Sequence, residues 1–120
     1  MKTNKSKKLT IAQVLPGLDS GGVERGTLEI SKYLVSKNHR SIVISEGGRL
    51  RQKLVQEGGE HINLPIGNKS LLTLRIIPEL ITIFIKNKVD IIHIRSRFPA
   101  WICFIATIFM PYKKRPFIVT

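Results

Sequence analysis

A chain of 120 residues carries 20 lysines and arginines against 8 acidic residues, for a formal net charge of +12. That length suits one domain with a real core, argues against a two-domain architecture, and is small for a complete enzyme. The charge favours anionic partners such as nucleic acid, phosphates or acidic membrane surfaces, without choosing among them.

Much of this charge lies at the two ends. Lys2, Lys5, Lys7 and Lys8 precede the first apolar run, and Lys113, Lys114 and Arg115 precede the last. Such clusters are typical of solvated tails and loops. Residues 1–8 accordingly read as a basic flexible tail and residues 9–120 as the folded domain. The single cysteine, Cys103, has no partner for an internal disulfide, so a reducing, cytoplasmic compartment is expected. The basic start followed by LTIAQVLPGL resembles a leader only superficially, because the apolar part is short, interrupted by Gln13 and Pro16, and lacks a small-residue cleavage site. Neither LLTLRIIPELITIFI nor PAWICFIATIFM reaches the roughly 18 apolar residues of a membrane span. Peripheral contact with a membrane stays open.

Taken in chain order, the pattern alternates. Leu9 to Leu15 is a short apolar run that reads as a strand. Val23, Thr27, Ile30 and Leu34 then recur at helical spacing, with Asp19 or Ser20 as a cap and Asn38 as a left-handed terminator. Ser41 to Ser45 is a second strand, Arg49 to Glu57 a short helix ended by Gly58 and Gly59, and Glu60 to Leu64 a third strand. Ser70 to Asn87 reads as the longest helix, which Pro78 either kinks or divides by starting its second half. Asp90 to Ile94 is a strand, Pro99 to Phe109 a helix, and Phe117 to Thr120 the fifth strand. Strands separated by helices imply parallel pairing through right-handed crossovers, so the expected fold is an open α/β Rossmann-like sheet with helices on both faces and strand order 3-2-1-4-5.

In such sheets ligands bind beyond the carboxyl ends of the strands, where the strand order reverses between the first and fourth strands. The loop GLDSGGVERG falls at that point. Gly21 and Gly22 would let backbone amides approach a ligand, and the helix start behind them would favour a phosphate or carboxylate. The same glycines would equally make a tight strand-to-helix turn. Glu24 is either a dipole-stabilising surface residue or a hydrogen-bond acceptor for a ligand. Gly26 reads as a packing glycine between helix and sheet. The dinucleotide fingerprint G-x-G-x-x-G is absent despite Glu46 at the end of the second strand, and no Walker-type Gly-Lys-Ser/Thr follows the first.

A second stretch, DIIHIRSRFPAW, places His93, Arg95, Ser96 and Arg97 beside that loop. The arginines suit phosphate or a negatively charged sugar and a neutral His93 suits a hydroxyl, against the alternative of solvated arginines and a histidine satisfied by backbone. Trp101 reads as core. His39 and His61 lack partners at metal-ligand spacing, and no carboxylate pair, Cys/His cluster or Ser/His/Asp arrangement is visible.

Together GGVERGTLEISKYLVSKNH, IIHIRSRFPAW and KKRPFIVT resemble the amino-terminal domain of family 4 retaining glycosyltransferases of the GT-B group, from about Leu9 to Thr120. The resemblance implies transfer of a sugar from a nucleotide-sugar donor to a hydroxyl of a sugar or glycolipid acceptor, in lipopolysaccharide, capsule or glycolipid synthesis, with retention of configuration and no metal. It places Gly21, Gly22 and Glu24 near the donor phosphates and sugar, and His93, Arg95, Ser96 and Arg97 on the acceptor side; no catalytic residue is assigned. In the family a His-Gly pair and a second, donor-binding domain follow the fifth strand, whereas this sequence stops at Thr120. The chain is therefore expected to be inactive alone and to need a carboxyl-terminal half. The alternatives are a noncatalytic remnant and a basic nucleic-acid-binding domain; within the transferase reading nucleic acid is not an expected partner.

Overall fold

A computed structural model describes residues 8–17, 22–66, 75–95 and 97–119, with residues 97–101 described by their backbone alone. The elements are β1 (Thr10–Val14), α1 (Gly22–Ser36), β2 (Arg40–Ser45), α2 (Arg51–Gln56), β3 (Glu60–Asn63), α3 (Ile76–Lys86), β4 (Ile91–Ile94), α4 (Arg97–Ile108), a short 3-10 turn (Tyr112–Lys114) and β5 (Phe117–Val119). All four strand pairings are parallel and the order is β3-β2-β1-β4-β5, as the alternating sequence pattern predicts. The expected caps Asp19 and Ser20, the tail 1–7, and the first part of the long helix at 70–74 lie outside the described residues. Pro78 sits two residues after the start of α3. It therefore stands in the first turn of α3, where proline is tolerated; whether the expected helix bends there depends on residues outside the described ones.

Register divides the sheet into two faces. Ala12, Val14, Ile42, Ile44, Ile92 and Ile94 bury one face against Leu80 and Phe84 of α3 and Ile102, Cys103 and Ala106 of α4. The opposite face is smaller: Leu15 and Val43 meet Leu28 of α1 and Leu54 of α2. Burial pushes the Cys103 thiol up to about 12, which keeps it protonated and unreactive at neutral pH.

The inner face of α1 differs from the expected apolar stripe. Its buried residues are Thr27, Leu28 and Ser31, while Val23 is 46% exposed and Ile30 and Leu34 are only partly covered. The reason is polar: the buried Gln13 donates from Nε2 to the Thr27 carbonyl (3.1 Å), and Ser41 Oγ donates to Ser31 Oγ (2.6 Å). Small hydroxyl residues let the helix approach a sheet surface that itself carries an amide and a serine. Asn38 ends the helix as expected, with φ of 66° and the His39 N–H reaching back to the Leu34 carbonyl (2.9 Å).

Hydrogen bonds fasten the amino-terminal edge of the sheet. Asp90 Oδ2 accepts from the Thr10 N–H (2.8 Å), and His39 Nδ1 accepts from the Leu9 N–H (3.0 Å). Arg40 grips Glu60 through Nε (2.6 Å) and Nη2 (2.8 Å), and its Nη2 also donates to Asn87 Oδ1 (2.8 Å). That two-pronged pairing lowers the Glu60 pKa and raises that of Arg40.

Because Phe84 is fully buried and Phe104 is 54% exposed, Phe84→Ala is expected to cost about 3–5 kcal/mol and Phe104→Ala no more than about 0.5 kcal/mol. Urea unfolding of the two variants, followed by circular dichroism, checks the difference; equal losses would contradict the packing described.

Candidate functional site

The order of the sheet reverses at β1, which pairs with β2 on one side and β4 on the other. At its carboxyl end the backbone continues the ladder through the Arg95 N–H to the Val14 carbonyl (3.0 Å) and the Leu15 N–H to the Ile44 carbonyl (3.2 Å). The loops leaving β1 and β2 run side by side: the Glu46 N–H donates to the Pro16 carbonyl (2.9 Å). Three segments thus converge on one rim.

Of the glycines expected to approach a ligand, Gly22 opens α1 and Gly21 lies outside the described residues. A Cβ built on Gly22 would meet nothing within 4 Å. Packing inside the described chain therefore does not require glycine at this position. Glu24 stands in the first turn, partly buried, where its charge complements the helix dipole. Gly26 lies one turn deeper, and a Cβ there would stand 3.0 Å from Arg95 Nη2. The close neighbour of Gly26 is thus an arginine from the end of β4, not the sheet surface that the sequence suggests.

His93 lies in β4 directly across from Gln13, on the side of the sheet that α1 and α2 cover. Partial burial, and then the positive charge of Arg95, lower its pKa, so the ring is neutral at neutral pH. Arg95 follows at the strand end, with Nε buried and without a hydrogen-bond partner among the described residues. Arg97 is the first residue of α4, described by its backbone alone, and Ser96 lies outside the described residues. The structure therefore brings Gly22, Glu24, His93 and Arg95 to one end of the sheet and leaves Gly21, Ser96 and the Arg97 side chain undescribed. Gln13 is the member that sequence reasoning missed. Its signal was a lone amide inside LTIAQVL, at a position where alternation points it toward the face α1 covers; its Oε1 is buried and has no partner.

A second polar group occupies the neighbouring loop. His61 Nε2 is 2.7 Å from Ser45 Oγ, which also accepts from the Gly47 N–H (3.0 Å), and Arg51 Nε donates to His61 Nδ1 (3.3 Å). Since Nδ1 accepts, Nε2 carries the proton and donates to Ser45. This is the reverse of an activated Ser–His pair, in which the imidazole takes the hydroxyl proton. The group instead clamps the β2–α2 loop, whose Gly47 has a φ of 92° that a β-carbon would strain. Among the described residues no group of three or more His, Cys, Asp or Glu is placed to hold a metal ion.

Residues 20–120 match the model of the glycosyltransferase family 4 domain. The structure is similar to the crystal structure of a glycosyltransferase from Rickettsia africae ESF-5, with a TM-score of 0.80 and 39% identity; the match covers 94% of this chain and 29% of that one. The chain thus spans less than a third of that protein. No curated protein matches it.

His61 and His93 both titrate below the ordinary histidine range, each chiefly through burial and then through a neighbouring arginine. The unfolded chain, with histidines near about 6.5, takes up protons first. Stability is therefore held above about pH 6.5 and falls as the pH drops from there toward the folded-state midpoints. Urea unfolding between pH 5 and 8 should show this decline, and His61→Gln should flatten it. A slope of the opposite sign would show that the imidazoles are stabilised as cations.

Proposed function

The chain belongs to glycosyltransferase family 4, and from that membership we propose that it forms the acceptor-side part of an enzyme moving a sugar from a nucleotide-sugar donor to a hydroxyl of a sugar or glycolipid. The observation that carries the reading is the start of α1 at the reversal of strand order, with His93 and Arg95 beside it. Free N–H groups and the positive end of the helix dipole favour donor phosphate. Gly21 and Gly22 bring that phosphate close to backbone, and Glu24 accepts from a hydroxyl of the transferred sugar. The open space that the described residues leave around Gly22 suits this role.

On the acceptor side, neutral His93 hydrogen-bonds a hydroxyl, and Arg95 and Arg97 attract an anionic group, with Ser96 between them. Retention of anomeric configuration, catalysis without a metal, a cytoplasmic setting and a place in lipopolysaccharide, capsule or glycolipid synthesis belong to the same proposal. The remaining catalytic and donor-binding groups would come from a carboxyl-terminal half, so the chain alone is inactive.

One surface favours contact with the inner face of a membrane, where a glycolipid acceptor would reside. Phe104, Ile108, Phe109, Tyr112 and Phe117 are all exposed within one short segment, next to Lys113 and Lys114. Arg115 is tied to the end of α4 by donating to the Ile108 and Met110 carbonyls. Exposed aromatics interleaved with cations suit an anionic interface. Beside them a groove of about 610 Å³, floored by Leu9, Phe84, Ile85 and Ile91 and rimmed by Lys88 and Lys113, opens at the amino-terminal edge of β4. Among the described residues no helix is long and apolar enough to cross a membrane.

Transfer is expected when the chain is supplied with a polypeptide matching the remaining part of the Rickettsia africae protein and assayed against a panel of nucleotide sugars, but not when either piece is assayed alone. Gly22→Val should lower that transfer at least about 100-fold, the scale of a lost charge-stabilising donor, with unchanged circular dichroism; unaltered turnover would remove the loop from the mechanism. The chain should also sediment with phosphatidylglycerol vesicles and not with phosphatidylcholine vesicles, and Phe109→Ser with Lys113→Glu should release it. Equal sedimentation with both lipids would overturn the membrane contact.

A further inference from the structure

A buried arginine nitrogen with no hydrogen-bond partner among the described residues needs a physical reason. Burying a guanidinium atom removes its hydration, and an unmade hydrogen bond leaves that cost uncompensated. Arg95 shows this state at Nε. Neither of the ion pairs found among the described residues, Lys32 with Glu57 and Arg40 with Glu60, involves it. What holds the side chain inward is space: its Nη2 comes so close to α1 that a β-carbon on Gly26 would be only 3.0 Å away, tighter than an ordinary van der Waals contact. Beneath the same turn, Gln13 is anchored through Nε2 to the carbonyl of Thr27, the residue after Gly26, and its Oε1 is also buried and unpartnered.

We propose that Gly26 is a positioning residue: the missing side chain in α1 is the seat of the Arg95 guanidinium, which it holds over the end of β4 to recognise an anionic, phosphate-bearing group. Gln13 forms the polar floor of that seat. Any larger residue at position 26 moves the guanidinium outward, toward solvent and away from His93. Glycine inside a helix costs stability relative to alanine, and the seat gives this one a function. The proposal rests on the transferase reading of the same rim and specifies which residue sets its preference for charge.

The test uses the 120-residue chain with isotope-labelled histidine and arginine, and inorganic pyrophosphate as probe. In the native chain pyrophosphate should shift the Arg95 Nε–H resonance, and the His93 midpoint should lie below that of an ordinary histidine. In register with His93 stand uncharged Gln13 on β1 and Val119 on β5; α1 covers the same side of the sheet, and the charged group that acts on the His93 ring is Arg95 on its own strand. Gly26→Leu, which fills the seat, should raise the His93 midpoint, leave that of His61 in place, and weaken pyrophosphate at least about tenfold, as expected for loss of a charge-assisted contact. Arg95→Gln should do the same, and Gly26→Ala should fall between; if Gly26→Leu does not fold, Gly26→Ala in the same two measurements decides. An unchanged His93 midpoint with unchanged pyrophosphate affinity in a folded Gly26 variant overturns the proposal. So does a native chain in which pyrophosphate leaves the Arg95 resonance unmoved. The transferase reading fails separately, when pyrophosphate binding depends on Gly26 and Arg95 but the complemented enzyme transfers no sugar.

Discussion

Strand β1 is hydrogen-bonded on both sides, and everything functional here follows from that. Chain leaving β1 for β2 must cross on one face, and chain arriving at β4 from β3 must cross on the other, because parallel crossovers are right-handed. α1 and α2 therefore cover one face, and α3 and α4 the other. At the carboxyl end of the sheet α1 begins, and Arg95 Nη2 reaches in beside Gly26.

The two ends of the sheet are built on opposite terms. At the amino-terminal end, Arg40, Glu60, Asn87, Asp90 and His39 satisfy one another or the backbone. At the carboxyl end Gln13 Oε1 and Arg95 Nε are buried and have no partner among the described residues. Buried polar atoms without partners are rare because each one costs stability. Among the described residues both such atoms lie toward the strand-order reversal, the end of the sheet where the proposed site falls.

How much of this the sequence revealed depends on the kind of signal. The strands were legible because each is a short run of branched apolar residues bounded by polar or glycine-rich turns; their parallel pairing followed from the intervening helices, while the order 3-2-1-4-5 is one of several that right-handed crossovers permit. Asn38 was legible as a terminator because a non-glycine left-handed residue is so often asparagine. The inner face of α1 was legible only in part: Thr27 of the expected stripe is buried, whereas Ser31 is buried through a hydroxyl pair with Ser41 that no hydrophobic period can show. The meaning of Gly26 was also hidden: its neighbour Arg95 is remote in sequence, and only the pairing of β1 with β4 brings them together. Gly21 and Gly22 were legible as a loop and helix start, whereas a preference for a particular ligand is a property of three-dimensional charge and space.

The chemistry available on this face is set by what stands beside each histidine. Histidine acts as a strong base when a carboxylate holds its ring and stabilises the cation. Here the neighbours are arginines: Arg51 at His61 and Arg95 at His93, each opposing protonation. His61 is committed further, with Nδ1 accepting from Arg51 and Nε2 occupied by Ser45. His93 has no such lock, and a neutral ring can donate from one nitrogen and accept at the other. Its placement beside an arginine suits orientation of a polar, negatively charged molecule, with the hydroxyls aligned by the imidazole and the charge by the guanidinium. In the proposed transferase such an arrangement serves to bind and orient, since burial and a neighbouring arginine both oppose protonation of His93.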